Sequence, residues 1–188
     1  MPETERASLT EALRRAHTYL EFGMGGSTTL AAWLKVANIV AIESSQEWRE
    51  KTAAEIAKID TSSQVVLLFA NIGETGAWGF PSNLQHQAQW PSYYTDAWAA
   101  IRARSLSPDL VLVDGRFRVP CFLYSLLNLK PGAVILWDDY CNRPEYHVVE
   151  QHLAPNVCHG NMAMFMVPAA VDVPEILAAL FEHRYLVN

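Results

Sequence analysis

The chain has 188 residues, of which 51% are hydrophobic, and its formal net charge is −6. A chain of this size and composition can bury one core, so we expect a single domain over residues 1–188. The acidic balance argues against a nucleic-acid partner, because binding a phosphate backbone requires a surplus of lysine and arginine. The sequence shows no targeting segment and no apolar run of membrane-spanning length, so we expect a soluble, cytoplasmic protein without a membrane partner.

The three cysteines, Cys121, Cys141 and Cys158, form no C-x-x-C pair. An odd number without such a pair is typical of a reducing compartment and argues against a zinc site. We therefore predict that all three are ordinary thiols.

Segments of helical and strand length alternate along the chain. After a cap at Ser8, a helix is predicted over 8–17, ending at His17. Further helices are predicted at 27–36, 46–59, 94–103, 118–129, 145–153 and 174–183. Strands are predicted at 18–22, 39–42, 65–70, 110–113, 133–137 and 162–167. Because these strands are apolar throughout and separated by helices, the pattern predicts an α/β fold with a mainly parallel sheet.

The most informative stretch is the turn after the first strand. Glu21 ends the strand, and the small residues of Gly23–Gly26 let the backbone approach a ligand before a helix begins. A dinucleotide fingerprint would need glycine where Thr28 stands, so that motif is imperfect. Glu43 ends the second strand 20 residues beyond Gly23, where an acid accepts hydrogen bonds from ribose hydroxyls. These features predict a nucleoside site without fixing the nucleoside.

Glu21, Gly23 and Gly25, with Ser27 in the third glycine position, resemble the first motif of class I S-adenosylmethionine (SAM)-dependent methyltransferases, acid-x-Gly-x-Gly-x-Gly. The segments 111–116 and 129–140 are similar to the family's fourth and fifth strands, so the resemblance covers most of residues 18–140. It implies a single-domain, Rossmann-like sandwich with helices on both faces of the sheet, and SAM as the cofactor.

The resemblance also implies which residues contact SAM. In the family, the acid at the position of Glu21 faces the cationic amino-acid end of the cofactor, often through water, and a carboxylate there is electrostatically favourable. The full set of expected cofactor residues is Glu21, Gly23, Met24, Gly25, Gly26, Ser27, Thr28, Glu43, Ser44, Asp114 and Gly115.

Acids after the fourth and fifth strands are the candidate catalytic residues. Asp114, the first choice, and Asp138 are expected to take a proton from an attacking hydroxyl or amine. Asp114, Asp138 and Asp139 also resemble the acids that hold a divalent ion in catechol-type O-methyltransferases, which implies Mg²⁺ or another divalent cation. The alternative is that Asp138 caps the strand end and Asp139 is solvated. Arg116 and Arg118 are candidates for gripping an anionic group of the acceptor, with surface ion pairs as the alternative.

The aromatic-rich segment that begins at residue 71 has no clear period. Six aromatic residues in and after it lie beside His86 in the sequence: Trp78, Phe80, Trp90, Tyr93, Tyr94 and Trp98. They are either a lid that stacks on adenine or encloses a flat acceptor, or a satellite core.

Three functions are compatible with these features. The first is a SAM-dependent methyltransferase that acts on an oxygen or nitrogen of a small molecule. The second is a non-catalytic protein of the same fold that binds SAM or S-adenosylhomocysteine (SAH), with a homodimer left open as its assembly. The third is an NAD-binding oxidoreductase, which Glu21 and Thr28 disfavour.

Overall fold

The computed structural model describes residues 1–187, in which a seven-stranded sheet lies between two layers of helices. The α-helices are α1 Glu3–Arg15, α2 Gly26–Trp33, α3 Gln46–Ile56, α4 Ser92–Ala103, α5 Arg118–Leu126 and α6 Val173–His183. The strands are β1 Thr18–Phe22, β2 Asn38–Glu43, β3 Gln64–Phe69, β4 Leu110–Val113, β5 Val134–Trp137, β6 Val157–His159 and β7 Met162–Met166. Short 3₁₀ helices cover Ala77–Gly79, Gln87–Gln89 and Pro144–Gln151. Among the described residues, no helix combines the length and the hydrophobicity that crossing a bilayer requires.

The strand order is β3-β2-β1-β4-β5-β7-β6. The first five strands are parallel, whereas β7 runs antiparallel to both β5 and β6. In the central register, Leu20 of β1 pairs with Val40 of β2 and Val111 of β4. The order reverses between β1 and β4, and such a switch point leaves a crevice outside the carboxyl ends of the strands. The mainly parallel α/β sandwich predicted from the sequence is confirmed.

Alternation along β1 divides its side chains between the two layers of the core. Leu20 and Phe22 belong to the larger cluster, which contains the buried residues of α4, α5 and α6. Tyr19 belongs to the smaller cluster with Leu9 of α1 and Ile56 of α3. Both clusters contain fully buried strand residues, which explains why the strands are apolar on both faces.

The N-terminal helix is longer than predicted. It begins at Glu3, next to Pro2, and ends at Arg15, so neither Ser8 nor His17 bounds it. Glu3 and Glu5 lie in its first turn, where acids stabilise the positive end of the helix dipole. The C-terminal region also differs, because 144–151 is a 3₁₀ helix and the three-residue β6 was not predicted.

Two of the three cysteines are bonded to each other. A disulfide joins Cys141, after β5, to Cys158 of β6, while Cys121 is free and buried. The prediction of three ordinary thiols is therefore wrong. The two residues are 17 positions apart, and they meet because β6 returns alongside β7 and because the Cys141 N–H donates to the Asn161 carbonyl at 3.0 Å. The cysteines therefore no longer support a reducing compartment. The cytoplasmic location of the protein stays a prediction.

Removing this disulfide should destabilise the fold. The double variant Cys141→Ser/Cys158→Ser should lose about 3 kcal/mol of unfolding free energy, because a cross-link over a loop of this length restricts the unfolded chain by that much. Urea denaturation in oxidising buffer measures the difference. Dithiothreitol should lower the wild type to the level of the double variant and leave the double variant unchanged. Equal stability of the two oxidised proteins would contradict the prediction.

Candidate functional site

A cavity of about 1330 Å³ lies at the carboxyl ends of β1, β2 and β4, where the strand order reverses. Most of the expected cofactor residues line it: Gly23, Met24, Gly25, Gly26, Ser27, Glu43, Asp114 and Gly115. Three expected cofactor residues do not line it and are buried behind its wall: Glu21, Thr28 and Ser44. Of the acidic and basic residues after β4 and β5, Arg116, Arg118 and Asp139 line the cavity and Asp138 does not.

The floor of the cavity depends on two glycines that touch across neighbouring strands. A Cβ on Gly23, whose φ is +91°, would lie 2.5 Å from the Cα of Gly115. A Cβ on Gly115 would lie 2.1 Å from the Tyr93 hydroxyl oxygen. No side chain fits either gap, so the turns after β1 and β4 close together only with glycine at both positions.

The turn continues into α2 with its backbone exposed to the cavity. The Gly25 N–H donates to the Thr28 hydroxyl at 2.9 Å, and the Trp48 Nε1–H donates to the Met24 carbonyl at 2.6 Å. These two bonds hold the backbone of the turn in place. The turn is thus rigid before any ligand binds.

Glu21 lies behind the cavity wall. It is fully buried and accepts hydrogen bonds from the hydroxyls of Ser27 and, at 2.6 Å, Thr28. Because Glu21 shares the face of β1 with Tyr19, its carboxylate points towards α2, and its interaction with the amino-acid end of the cofactor stays a prediction. Burial raises the pKa of Glu21 to about 7, against the lowering effect of the two hydroxyls. Its connection to the cavity runs through Ser27.

Glu43 lines the cavity, as expected for an acid at the end of β2. Its Oε1 accepts from the N–H groups of Ser44 at 2.7 Å and Ser45 at 3.0 Å. These bonds hold the carboxylate in one orientation, while burial raises its pKa. A fixed carboxylate with a second oxygen can accept hydrogen bonds from a pair of hydroxyls. Ser44 does not line the cavity, but its hydroxyl also donates to Glu43 Oε1, at 3.2 Å.

Asp114 and Asp138 form a close acidic pair after β4 and β5. Burial, and next the neighbouring Asp138, raises the pKa of Asp114 well above its ordinary value. Burial, and next Asp139, also raises the pKa of Asp138. Because neighbouring carboxylates resist double ionisation, the pair holds a proton more readily than isolated acids do. Asp114 is the member that reaches the cavity.

Arg118 lies among the acids that were expected to bind a metal. Its guanidinium donates to the carbonyls of Gly115, Asp138 and Asp114, and approaches Asp114 Oδ1 at 3.3 Å and Asp139 Oδ2 at 3.8 Å. A divalent cation there would be repelled by the guanidinium. Residues 1–187 contain no group of three or more His, Cys, Asp and Glu side chains that could hold a metal ion. The three carboxylates therefore do not fit a divalent ion.

The aromatic segment divides between the cavity and the core. Its first part, 74–82, is a hairpin closed by a bridge between Thr75 and Pro81. Trp78 and Phe80 of this hairpin line the cavity, and Trp78 is 88% exposed with a φ of +60°. The later aromatics are buried in the core: Trp90, Tyr93, Tyr94 and Trp98. His86 does not line the cavity and packs against Gly73.

Sequence reasoning missed several residues of the cavity wall. They come from α1, α3 and the loop after β5: Met1, Arg6, Leu9, Trp48 and Arg143. The hairpin could have been recognised from Gly76, Gly79 and Pro81, which are typical turn residues. No comparable signal marks α1 or Arg143, because their contribution depends on how distant elements pack.

The sequence matches no protein-family model and no curated protein. Among solved structures, a methyltransferase-like protein from Silicibacter pomeroyi is 34% identical over 98% of this chain and 95% of its own, with a TM-score of 0.87. The O-methyltransferase TomG from Streptomyces achromogenes, in complex with SAM, is 18% identical over 89% of this chain and 80% of its own, with a TM-score of 0.59. An O-methyltransferase from Bacillus cereus, in complex with SAH, is 16% identical over 88% of this chain and 80% of its own, with a TM-score of 0.56. The last two show the fold alone.

The burial of Glu21 should make stability depend on pH. Because its pKa rises from 4.5 to about 7 on folding, the folded state binds the proton more tightly, and this stabilisation is lost as the pH rises from 4.5 to 7. Relative to Glu21→Gln, the wild type should lose about 3 kcal/mol of unfolding free energy over that range. Urea denaturation at a series of pH values measures it. The control Glu182→Gln, at an exposed position of α6, should follow the wild type. A pH-independent difference between the wild type and Glu21→Gln would refute the assignment.

Proposed function

The chain belongs to the class I SAM-dependent methyltransferase family, and we propose that it transfers the methyl group of SAM to an oxygen or nitrogen of a small molecule. The observation that carries the proposal is the cavity at the switch point of the sheet, which joins a glycine turn, the fixed carboxylate of Glu43 and the acid Asp114. Open α/β sheets bind their ligands at this place.

The charges around the turn favour a cationic ligand. Asp114 lines the cavity beside the contact of Gly23 with Gly115. Glu21 lies behind Ser27, whose hydroxyl donates a hydrogen bond to the Glu21 carboxylate. Burial disfavours the charged form of these two carboxyls and raises their pKa values. A positively charged ligand nearby would stabilise the charged form. SAM carries both an ammonium and a sulfonium group, and its ribose hydroxyls match the acceptor oxygens of Glu43.

The same charges disfavour a dinucleotide. A pyrophosphate on the N-terminus of α2 would lie near Glu21 and Asp114, and both would repel it when ionised. Thr28, which stands where the dinucleotide motif has glycine, is fully buried and bonded to Glu21 and Gly25. An NAD-binding site would need this hydrogen-bonded corner to be rebuilt.

Asp114 is the residue that we assign to proton transfer. When bound, the cofactor supplies an electrophilic methyl group. Asp114 reaches the cavity while Asp138 lies behind it, so Asp114 can accept the proton of an acceptor hydroxyl or amine and share it with Asp138. Its raised pKa brings its basicity closer to neutral pH, which suits a general base. Arg118 holds Asp114 in place through Oδ1.

A non-catalytic SAM-binding or SAH-binding protein is the second candidate. The contact that favours it is the one between Arg118 and Asp114, because a neighbouring guanidinium reduces the basicity of a carboxylate.

A nucleic-acid acceptor is less compatible with the net charge of −6. We propose a small-molecule acceptor for this reason.

Two experiments test the proposal. Calorimetric titration with SAM, SAH and NAD should give binding of SAM and SAH, whereas binding of NAD alone would overturn the family-based assignment of the ligand. A screen of small hydroxy and amino compounds with methyl-labelled SAM should then detect a methylated product. Cofactor binding without any methylated product would favour the non-catalytic candidate.

Replacing Glu43 should weaken cofactor binding. Glu43→Ala removes an acceptor of charged hydrogen bonds. It should weaken the binding free energy of SAH by about 1–3 kcal/mol, which raises the dissociation constant roughly 5- to 150-fold. Calorimetry with SAH measures the change. Glu50→Ala, an exposed site on α3 outside the cavity, is the control. An unchanged dissociation constant for Glu43→Ala would remove Glu43 from the site.

Replacing Asp114 should reduce turnover. With an acceptor from the screen and saturating SAM, Asp114→Asn should lower kcat by roughly 10²- to 10⁴-fold, the usual contribution of a general base. The wild-type rate should rise with pH as the acidic pair loses its proton, and this rise should disappear in the variant. Asp96→Asn, on the exposed side of α4, should match the wild type. A wild-type kcat in Asp114→Asn would exclude Asp114 as the base.

A further inference from the structure

Within residues 1–187, the guanidinium of Arg116 is buried at the cavity without a hydrogen-bond or ion-pair partner. The residue is 9% exposed, and its Nη1 has no hydrogen-bond acceptor among residues 1–187. Its backbone N–H is the group that meets the Tyr93 hydroxyl, at 3.4 Å. A buried charge without a compensating acceptor is unfavourable, and burial, followed by the nearby charge of Arg118, lowers the pKa of Arg116.

Of the three other arginines that line the cavity, Arg6 is exposed to solvent, whereas Arg118 and Arg143 already have partners. Arg118 donates to three carbonyl oxygens and approaches Asp114. Arg143 donates to Asp139 at 2.6 Å and to the Tyr146 hydroxyl at 3.2 Å. Arg116 pairs with no carboxylate in the part of the chain that the structure describes. Among the arginines of the cavity, Arg116 is therefore the buried one whose charge a ligand can neutralise.

Arg116 lines the cavity, and its surroundings among residues 1–187 supply no hydrogen-bond acceptor to its Nη1. The Phe80 ring covers one face, with its centroid 4.4 Å from the guanidinium carbon. Glu43 is near enough to feel the charge, but its Oε1 is already bonded to the N–H groups of Ser44 and Ser45. The N–H groups along the edge of a guanidinium match a carboxylate or phosphate, which bind it through two parallel hydrogen bonds.

We propose that Arg116 binds an oxyanion, a carboxylate or a phosphate, that belongs to the methyl acceptor. This inference rests on the proposed function and narrows its substrate to anionic small molecules. The cofactor's own carboxylate is the other source of the same chemistry. It is disfavoured because the amino-acid end is assigned to the turn at Gly23, whereas the Arg116 side chain packs on Gly79 and Phe80 of the hairpin.

Matched anionic and neutral probes test the inference. Benzoate, its neutral analogue benzamide, and inorganic phosphate are titrated calorimetrically into the wild type, both free and loaded with SAH. At least one of the two anions should bind, and benzamide should bind more weakly than benzoate. Arg116→Gln should weaken anion binding by about 10- to 150-fold, the effect of losing charged hydrogen bonds, while the dissociation constant of SAH stays within about twofold of the wild type.

Two further variants control for charge and folding. Arg116→Lys keeps the positive charge but lacks the paired N–H donors of a guanidinium, so it should bind the anion with intermediate affinity. Such partial rescue separates the loss of charge from a general loss of structure. Arg102→Gln removes an arginine that bonds to Asn128 and does not line the cavity, so its anion binding should equal that of the wild type. Thermal unfolding of each variant confirms that the fold is retained.

Three results would overturn the inference. The first is that neither anion binds the wild type, and the second is that both bind Arg116→Gln as tightly as the wild type. The third is that Arg116→Gln weakens SAH but not 5′-methylthioadenosine, which lacks the amino-acid end, because Arg116 would then hold the cofactor's carboxylate. Failure of the wild type to bind SAM or SAH would contradict the proposed function instead, and titration of the free protein would still report on Arg116.

Discussion

The close approach of the turns after β1 and β4 is the constraint on which the site depends. Gly23 and Gly115 leave no room for a Cβ between them, and Tyr93 closes the same contact from α4. A side chain at either glycine would push the two strand ends apart. Because Asp114 directly precedes Gly115, the contact that closes the floor also sets the position of the acid at the cavity. The packing of Gly23 on Gly115 therefore also positions the carboxylate of Asp114.

A second consequence concerns how negative charge is held at this floor. Carboxylates that are buried together need cations or hydrogen-bond donors nearby. Ser27 and Thr28 supply donors to Glu21, and Arg118 supplies a permanent cation beside Asp114. Since Arg118 also bonds to the Asp138 carbonyl, it holds the ends of β4 and β5 in a fixed relation.

The sequence was sufficient for the features that depend on local pattern. Strands 18–22 and 110–113 have the predicted bounds, and Glu43 lies at the end of β2 on the cavity. An acid ends or follows the apolar runs of β2 and β4, and the glycine turn that begins at Gly23 ends β1. The direction of Glu21 was not predictable in this way, since β1 is buried on both faces and shows no alternation. The bonds of Arg118 also escape sequence analysis, because carbonyl acceptors carry no residue signature.

The disulfide shows the same limit for distant contacts. Cys158 lies in β6, which has only three residues, too few for a periodic pattern to reveal. Without β6, nothing in the sequence brings Cys158 near Cys141. Its pairing ties the loop after β5, which carries Asp139, to the far edge of the sheet. Long-range order around the site therefore rests on a contact that only the folded chain displays.

The cavity presents two opposite charges that the protein leaves incompletely compensated. Glu21, behind the turn, and Asp114, which lines the cavity, are acids with raised pKa values, and facing the hairpin is the guanidinium of Arg116, whose pKa is lowered. A cationic cofactor alone would compensate the acids and leave the guanidinium unpaired, while an anionic acceptor alone would do the reverse. With both ligands present, each charge has a partner, and the two ligands also attract each other. Electrostatics of this kind favour the ternary complex over either binary one, which is the state that methyl transfer requires.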